Sequence, residues 1–274
     1  MVEINVRTAL YGIIGNPLGH TLSPAVHNAA FRFSGIDAVY LAFETSDPVA
    51  CLKAARALPI NGMSVTIPFK SRILDHLDYV EPAAREIGAV NTVVNRDGIL
   101  HGWNTDAPAA LEALEACSEL SHLRCLIIGA GGAAKAVAFA LKDRCREVTV
   151  SNRTEQSART LAGSVGCGWT PLSDAHRQKA DLVINTTPVG MHPDTGKSPV
   201  TEQVLENATA VMDIIYRPRK TLLLETAARL GCTTIGGEEM FLRQAARQYS
   251  LWTGKTAPLE RMRAAFEEAM KGPR

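Results

Sequence analysis

The sequence predicts an α/β protein of two domains, on three observations: a chain of 274 residues, short β-branched runs alternating with helix-period segments, and a repeat of that alternation in each half. At about 150 residues per domain, this length suits two domains, each able to bury its own core. Alternation of this kind implies βαβ units and largely parallel sheets.

In the first half the predicted strands are Leu10 to Ile14, Val39 to Glu44, Met63 to Ile67 and Ala89 to Val94, with helices starting near Pro24, Asp47 and Lys70. A helix from Asp106 to about Cys117 then leads into the strand Arg124 to Ile128, a helix ending near Leu141 and the strand Glu147 to Ser151. The alternation continues to about Gly237. Two helical segments close the chain, roughly Glu238 to Thr253 and Pro258 to Met270, and their apolar positions suit packing onto an existing surface. The expected organisation is a first domain of residues 1–105 completed by 238–274, a second domain of residues 106–237, and a cleft between them.

Composition narrows the function classes. Hydrophobic residues make up 46% and charged residues 21%, as in an ordinary globular protein. Lysine plus arginine total 29 against 28 acidic residues, so no global positive field draws the chain onto nucleic acid. The six cysteines form no C-x-x-C pair and no His-rich cluster accompanies them, which argues against a zinc site and for buried or inert thiols. No segment approaches the roughly 18 uncharged apolar residues of a membrane span, and the N-terminus lacks a secretory core, so a reducing cytoplasm is the expected compartment.

The strongest local signal is the strand Leu126-Ile-Ile running into Gly129-x-Gly131-x-x-Ala134 and a helix. The first glycine permits a tight turn, the second lets backbone approach a pyrophosphate, and the helix start offers N–H groups and a positive dipole end to that charge. A bare helix cap is the plainer alternative, and the strand-turn-helix context favours a dinucleotide over it. The next strand ends in Asn152-Arg153-Thr154, where an NAD enzyme would place an acid for the ribose 2′-hydroxyl. An arginine there can instead pair with a 2′-phosphate, which points to NADP.

In the first half, polar side chains collect at strand ends. Thr21 and Ser23 precede a helix and can offer hydroxyls to a carboxylate, although Ser23 before Pro24 is also a good N-cap. Thr66 and Lys70 follow a buried run, on the side of the sheet where open α/β proteins bind ligands. Asn91 and Asp106 add an amide and a carboxylate, and both residue types also suit turns and caps.

Taken in order, eight motifs resemble the shikimate dehydrogenase family over nearly the whole chain: Gly15 to Pro24, Ser64 to Lys70, Gly88 to Thr92, Asn104 to Asp106, Gly129 to Ala133, Asn152 to Thr154, Asn185 to Met191, and the G-G-E-E-M-F-L-R-Q stretch ending at Gln244. The resemblance implies an N-terminal substrate-binding domain and a C-terminal Rossmann-type NADP-binding domain. It also implies NADPH-dependent reduction of 3-dehydroshikimate to shikimate and its reverse, in a cleft that closes over both ligands.

By the same resemblance, Lys70 is the principal acid/base group and Asp106 its partner, Thr21 and Ser23 hold the substrate carboxylate with Tyr216 nearby, and Thr66, Asn91 and Gln244 surround the ring hydroxyls. Gly129, Ala130, Gly131, Gly132, Ala133, Asn152, Arg153, Thr154, Thr187, Met191, Ile214 and Gly237 are the implied cofactor-binding residues. No metal is implied, the partners are small molecules without nucleic acid or membrane, and the assembly is a monomer or homodimer. Ser157 departs from the family pattern, standing where a second basic residue often follows N-R-T, with Arg159 two positions later. The alternatives are a quinate/shikimate dehydrogenase preferring NAD and a non-catalytic ligand sensor. Retention of Ser23, where quinate enzymes tend to have threonine, speaks for shikimate; retention of Lys70 and Asp106 speaks for catalysis.

Overall fold

The structure is a computed structural model that describes residues 4–19 and 21–272; His20, within the first motif, lies outside the described residues. The chain divides into two compact units, one running to Thr105 and resuming at Leu242, the other from Asp106 to Phe241.

The first unit holds a six-stranded sheet in the order β2-β1-β3-β5-β6-β4, with β1 Ala9–Gly15, β2 Ala38–Glu44, β3 Ile60–Val65, β4 Tyr79–Val80, β5 Thr92–Arg96 and β6 Ile99–Trp103. Helix α1 (Ser23–Phe33) crosses from β1 to the parallel β2, and α2 (Pro48–Ala57) precedes β3, which runs parallel to β1 on its other side. Asp47 starts α2 by accepting from the backbone N–H groups of Val49 and Ala50, both at 3.0 Å, and so satisfies two amides that the helix leaves without a partner. Three of the five pairings are parallel; the β3–β5 and β5–β6 pairings are antiparallel. The antiparallel turn comes from Asp97-Gly98, both at positive φ (53° and 86°), a two-residue hairpin joining β5 to β6.

Three expectations change here. The third strand stops at Val65, so Thr66 and Ile67 belong to the turn beyond it. No α-helix starts at Lys70; the chain makes turns and a short 3₁₀ segment, Leu74–His76, because Phe69 is drawn into the core and Ser71 is tied to the Gly88 carbonyl at 2.8 Å. The expected strand from Ala89 starts only at Thr92, after the short helix α3 (Pro82–Ile87).

In the second unit β7 Arg124–Ile128, β8 Glu147–Asn152, β9 Gly168–Pro171, β10 Leu182–Asn185, β11 Ala210–Asp213 and β12 Thr233–Ile235 pair in parallel throughout, in the order β12-β11-β10-β7-β8-β9. Strands from the two halves of this unit meet at β7 and β10, the doubly wound arrangement whose crevice lies at the strand carboxyl ends. Helices α4 (Asp106–Glu115), α5 (Gly132–Leu141), α6 (Glu155–Val165) and α7 (Leu222–Arg229) complete the unit. Its central strands are apolar on both faces: Leu126, Ile127, Ile128, Val183 and Ile184 are all buried, as a sheet covered on both sides requires.

Helix α8 (Gly237–Thr253) and α9 (Leu259–Met270) end the chain. In the first unit, α9 packs on α1, and the Trp252 indole of α8 donates to the Val93 carbonyl at 3.0 Å. Of the cysteines, Cys125 and Cys145 are buried, and Cys117 is exposed on the turn after α4. Among the described residues, no helix is long and apolar enough to cross a membrane.

Candidate active site

In the first unit, candidate substrate residues follow the carboxyl ends of the central strands β1 and β3 or flank the start of β5. Register puts Ile14 beside Val65, Ser64 beside Thr92, and Thr92 beside Trp103, so the ends of β1, β3 and β6 coincide with the start of β5. Thr66 donates its backbone N–H to the Ile14 carbonyl at 3.0 Å, and Phe69 donates to the Thr66 carbonyl at 2.9 Å, closing a turn. Lys70 follows, its carbonyl accepting from Val90 at 2.8 Å. With Phe69 1% exposed, the Lys70 backbone is held from both sides while its side chain is half-buried.

Asn91 is 1% exposed and its amide is fixed by its neighbours. Its Oδ1 accepts from the Thr105 backbone N–H and the Thr92 hydroxyl, both at 2.8 Å, and its Nδ2 donates to Thr105 Oγ1 at 2.9 Å. Gln248 on α8 ties this cluster to the rest of the unit: its Nε2 donates to the Asn91 carbonyl (3.2 Å) and Thr92 Oγ1 (3.1 Å), while its Oε1 accepts from Ser64, which in turn accepts from the Tyr40 hydroxyl. Gln244 lies one helical turn earlier on the same helix, hence on the same face. Sequence reasoning did not single out Gln248. Its signal was available, a second glutamine four residues after Gln244 and so on the same helix face.

Ser23 opens α1 but does not cap it. The capping position is Leu22, which makes no side-chain cap bond. The Ser23 hydroxyl, 4% exposed, instead accepts from Thr21 Oγ1 at 3.3 Å, which brings these two hydroxyls together at a helix start. Asp106 is the first residue of α4, buried at 4% exposure.

In the second unit the candidate cofactor residues lie at the carboxyl ends of the parallel strands. Gly129 follows β7 at φ 122°, and a Cβ there would stand 2.3 Å from Thr186 Oγ1, so only glycine makes this turn beside the end of β10. Its N–H donates to the Ser151 carbonyl at 2.8 Å. Gly131 caps α5 with no side chain, and nothing lies within 4 Å of where its Cβ would be. The first N–H groups of α5, at Gly132 and Ala133, thus meet an open surface, while Ala134 is fully buried where the helix packs closely.

Ala130 lies in the same turn. At the end of β8, Asn152 Nδ2 donates to the Thr154 carbonyl at 3.1 Å, bracing the turn that presents the exposed Arg153. Arg153 is one wall of a cavity of about 630 Å³.

Across the switch point a second polar cluster is built on Asp213, which sequence reasoning also missed. Asp213 is fully buried at the end of β11. It accepts from Asn185 Nδ2 (3.0 Å), the Ile215 backbone N–H (3.0 Å) and Thr221 Oγ1 (2.7 Å). Burial pushes its carboxyl up to about 6, against the pull of these three donors. Asn185 Oδ1 in turn accepts from the backbone N–H and hydroxyl of Thr187, at 2.9 and 2.7 Å, so Thr187 is positioned from Asp213 through Asn185.

Ile214 and Gly237 meet closely, since a Cβ on Gly237 would come within 2.3 Å of the Ile214 carbonyl oxygen. Tyr216 packs its ring on Phe241 at 4.8 Å, and Met191, 39% exposed, lies in the loop after β10. Thus in each unit the candidates lie beyond the ends of its central strands. Among the described residues, no group of three or more His, Cys, Asp or Glu is arranged to hold a metal.

A parallel sheet wound in this order, with an open glycine turn at its switch point and no acid at the end of β8, defines a dinucleotide-binding α/β oxidoreductase. Three family models match: "Shikimate dehydrogenase substrate binding domain" at residues 13–93, "Shikimate / quinate 5-dehydrogenase" at 111–219, and "Shikimate 5'-dehydrogenase C-terminal domain" at 237–265. The chain belongs to the shikimate dehydrogenase family.

It is 40% identical to a shikimate dehydrogenase (NADP(+)) of Moorella thermoacetica, over 98% of this chain and 96% of that protein. A second relative of the same description, from Bacillus mycoides, is 42% identical over 96% and 99%. Among solved structures, a shikimate dehydrogenase in complex with NADP+ superposes with a TM-score of 0.91 at 36% identity, covering 98% of both chains. The Thermus thermophilus enzyme in complex with NADP(H) and shikimate gives 0.87 at 39% identity, covering 95% of this chain and 99% of that one.

Proposed function

We propose that this protein is an NADP-dependent shikimate dehydrogenase, interconverting 3-dehydroshikimate and shikimate in aromatic amino acid biosynthesis. The observation that supports the reading is that the hydroxyl pair Thr21 and Ser23 follows the carboxyl end of β1, Lys70 follows that of the adjacent β3, and the locked amide of Asn91 precedes β5 beside it. A polyhydroxy acid needs this combination: hydroxyls for its carboxylate, fixed donors and acceptors for its ring hydroxyls, and a group to move a proton at the reacting oxygen.

NADP fits the second unit. Gly132 and Ala133 would hold the pyrophosphate on the start of α5, with Gly129, Ala130 and Gly131 allowing close backbone approach. Asn152, Arg153 and Thr154 would hold the 2′-phosphate end, and Thr187, Met191, Ile214 and Gly237 the nicotinamide half. When bound, NADPH supplies a hydride to the ring ketone. Lys70 then donates a proton to the oxygen that becomes the alkoxide, and recovers it in the reverse direction. Asp106 is assigned a ring hydroxyl as the second acid/base group of this reading.

Thr66, Gln244 and Tyr216 are the further substrate-binding residues of this reading. Asn91 discriminates by geometry, because its amide is fixed by Thr92 and Thr105 and cannot turn to suit an analogue whose hydroxyl is displaced. Expression of this chain in a bacterial strain deleted for its own shikimate dehydrogenase tests the reading. Growth without aromatic amino acids is expected; failure of a well-expressed, folded protein to restore it would overturn the proposal.

A further inference from the structure

The cavity beside Arg153 carries an inference about cofactor selectivity that rests on the NADP reading above. Strand β9 pairs with β8 so that Pro171 lies beside Asn152, and the 3₁₀ segment Leu172–Arg177 therefore starts alongside the turn that presents Arg153. His176 sits four residues into that segment, about 8 Å along it at a rise of roughly 2 Å per residue, and faces the same cavity. Ser173, Ser198 and Thr201 add hydroxyls to its wall. Among the described residues, the basic side chains lining it are Arg153 and His176.

Ser157 supplies no cation in the first turn of α6, and the arginine two positions later is committed elsewhere. Arg159 lies over the Trp169 ring at 4.2 Å and pairs with Glu155 at 3.8 Å. That pairing also offsets the negative charge of Glu155 at the cavity wall. The charged neighbours of His176 on its own segment, Asp174 and Arg177, pair with each other at 3.5 Å.

We propose that His176 is the second basic contact for the 2′-phosphate of NADP, acting from the segment after β9 in place of the basic residue that α6 lacks. Arg153 grips the phosphate as a planar fork from one side and an imidazole N–H of His176 donates from the other, with a serine hydroxyl as a further donor. Selectivity for NADP over NAD is thus divided between two separate turns of the chain.

Calorimetric titration of the full chain with adenosine 2′,5′-bisphosphate and with 5′-AMP tests this without turnover. The wild type is expected to bind the bisphosphate more tightly than AMP. His176→Gln is expected to weaken the bisphosphate about fivefold, the scale of one exposed charged contact, and to leave AMP unchanged, while His176→Arg retains the preference. Equal affinities of His176→Gln and wild type for the bisphosphate, or parallel losses for both nucleotides, would overturn the inference and leave the NADP reading standing. A wild type that binds both nucleotides alike would remove the NADP reading and this inference with it.

Discussion

Replacing Asp213 by asparagine tests whether the buried carboxylate that positions Thr187 carries an electrostatic cost at neutral pH. The carboxyl rises from 3.8 to about 6 on folding because burial outweighs its three hydrogen bonds. Between those values the native protein holds a proton that the unfolded chain has released, so stability falls as pH rises through this window. The contribution is complete below the unfolded value and is lost above the folded one. A gap of about two units amounts to about 3 kcal/mol in all, of which about 2 kcal/mol falls between about pH 4.5 and about pH 7.5.

Asparagine keeps the shape and the acceptor for Asn185 and Ile215, lets its NH₂ donate to the Thr221 hydroxyl, and cannot ionise. Urea unfolding followed by circular dichroism at both pH values, for wild type and Asp213→Asn, should show a wild-type decline steeper by about 2 kcal/mol. Parallel pH profiles for the two proteins would refute the reasoning.

Other perturbations address the remaining parts of the account. Lys70→Ala should lower kcat by about 10² to 10⁴ with KM less affected, and near-normal kcat in steady-state assays would remove Lys70 from proton transfer. Gly129→Ala forces a Cβ into Thr186 at a φ that disfavours it, and should cost about 1–3 kcal/mol and weaken NADP binding. A wild-type Tm and Kd would contradict that. Gln248→Leu leaves Ser64, the Asn91 carbonyl and Thr92 short of a partner; a loss of about 1–3 kcal/mol and a raised KM for shikimate are expected, and an unchanged KM would mean that Asn91 holds its place without Gln248.

The second unit was the more legible in the sequence. Its central strands β7, β10 and β11 are buried on both faces and read as largely apolar runs, and Arg124–Ile128 appears as expected because glycine punctuates its end. The first unit was harder because its sheet mixes directions. The Asp97-Gly98 turn was a readable hairpin signal, but the run Thr92–Arg96 is short and partly polar, and the expectation of a strand from Ala89 absorbed it.

At the site, single residues at strand ends were visible through their motifs, whereas the groups that hold them were not. Asp213, Gln248 and Thr105 act through partners 28, 157 and 14 positions away, and periodicity does not report such distances. Ser23 shows the converse: a residue type suited to capping stands one position inside the helix, and its hydroxyl goes to Thr21.

The most direct test of the central claim is an absorbance assay at the reduced-nicotinamide band, with shikimate or quinate supplied in turn with NADP or NAD. The account predicts that shikimate with NADP dominates the four rates. Faster turnover of quinate, or of either substrate with NAD, would contradict the assigned specificity, and four flat traces from folded protein would contradict the assignment of catalysis itself.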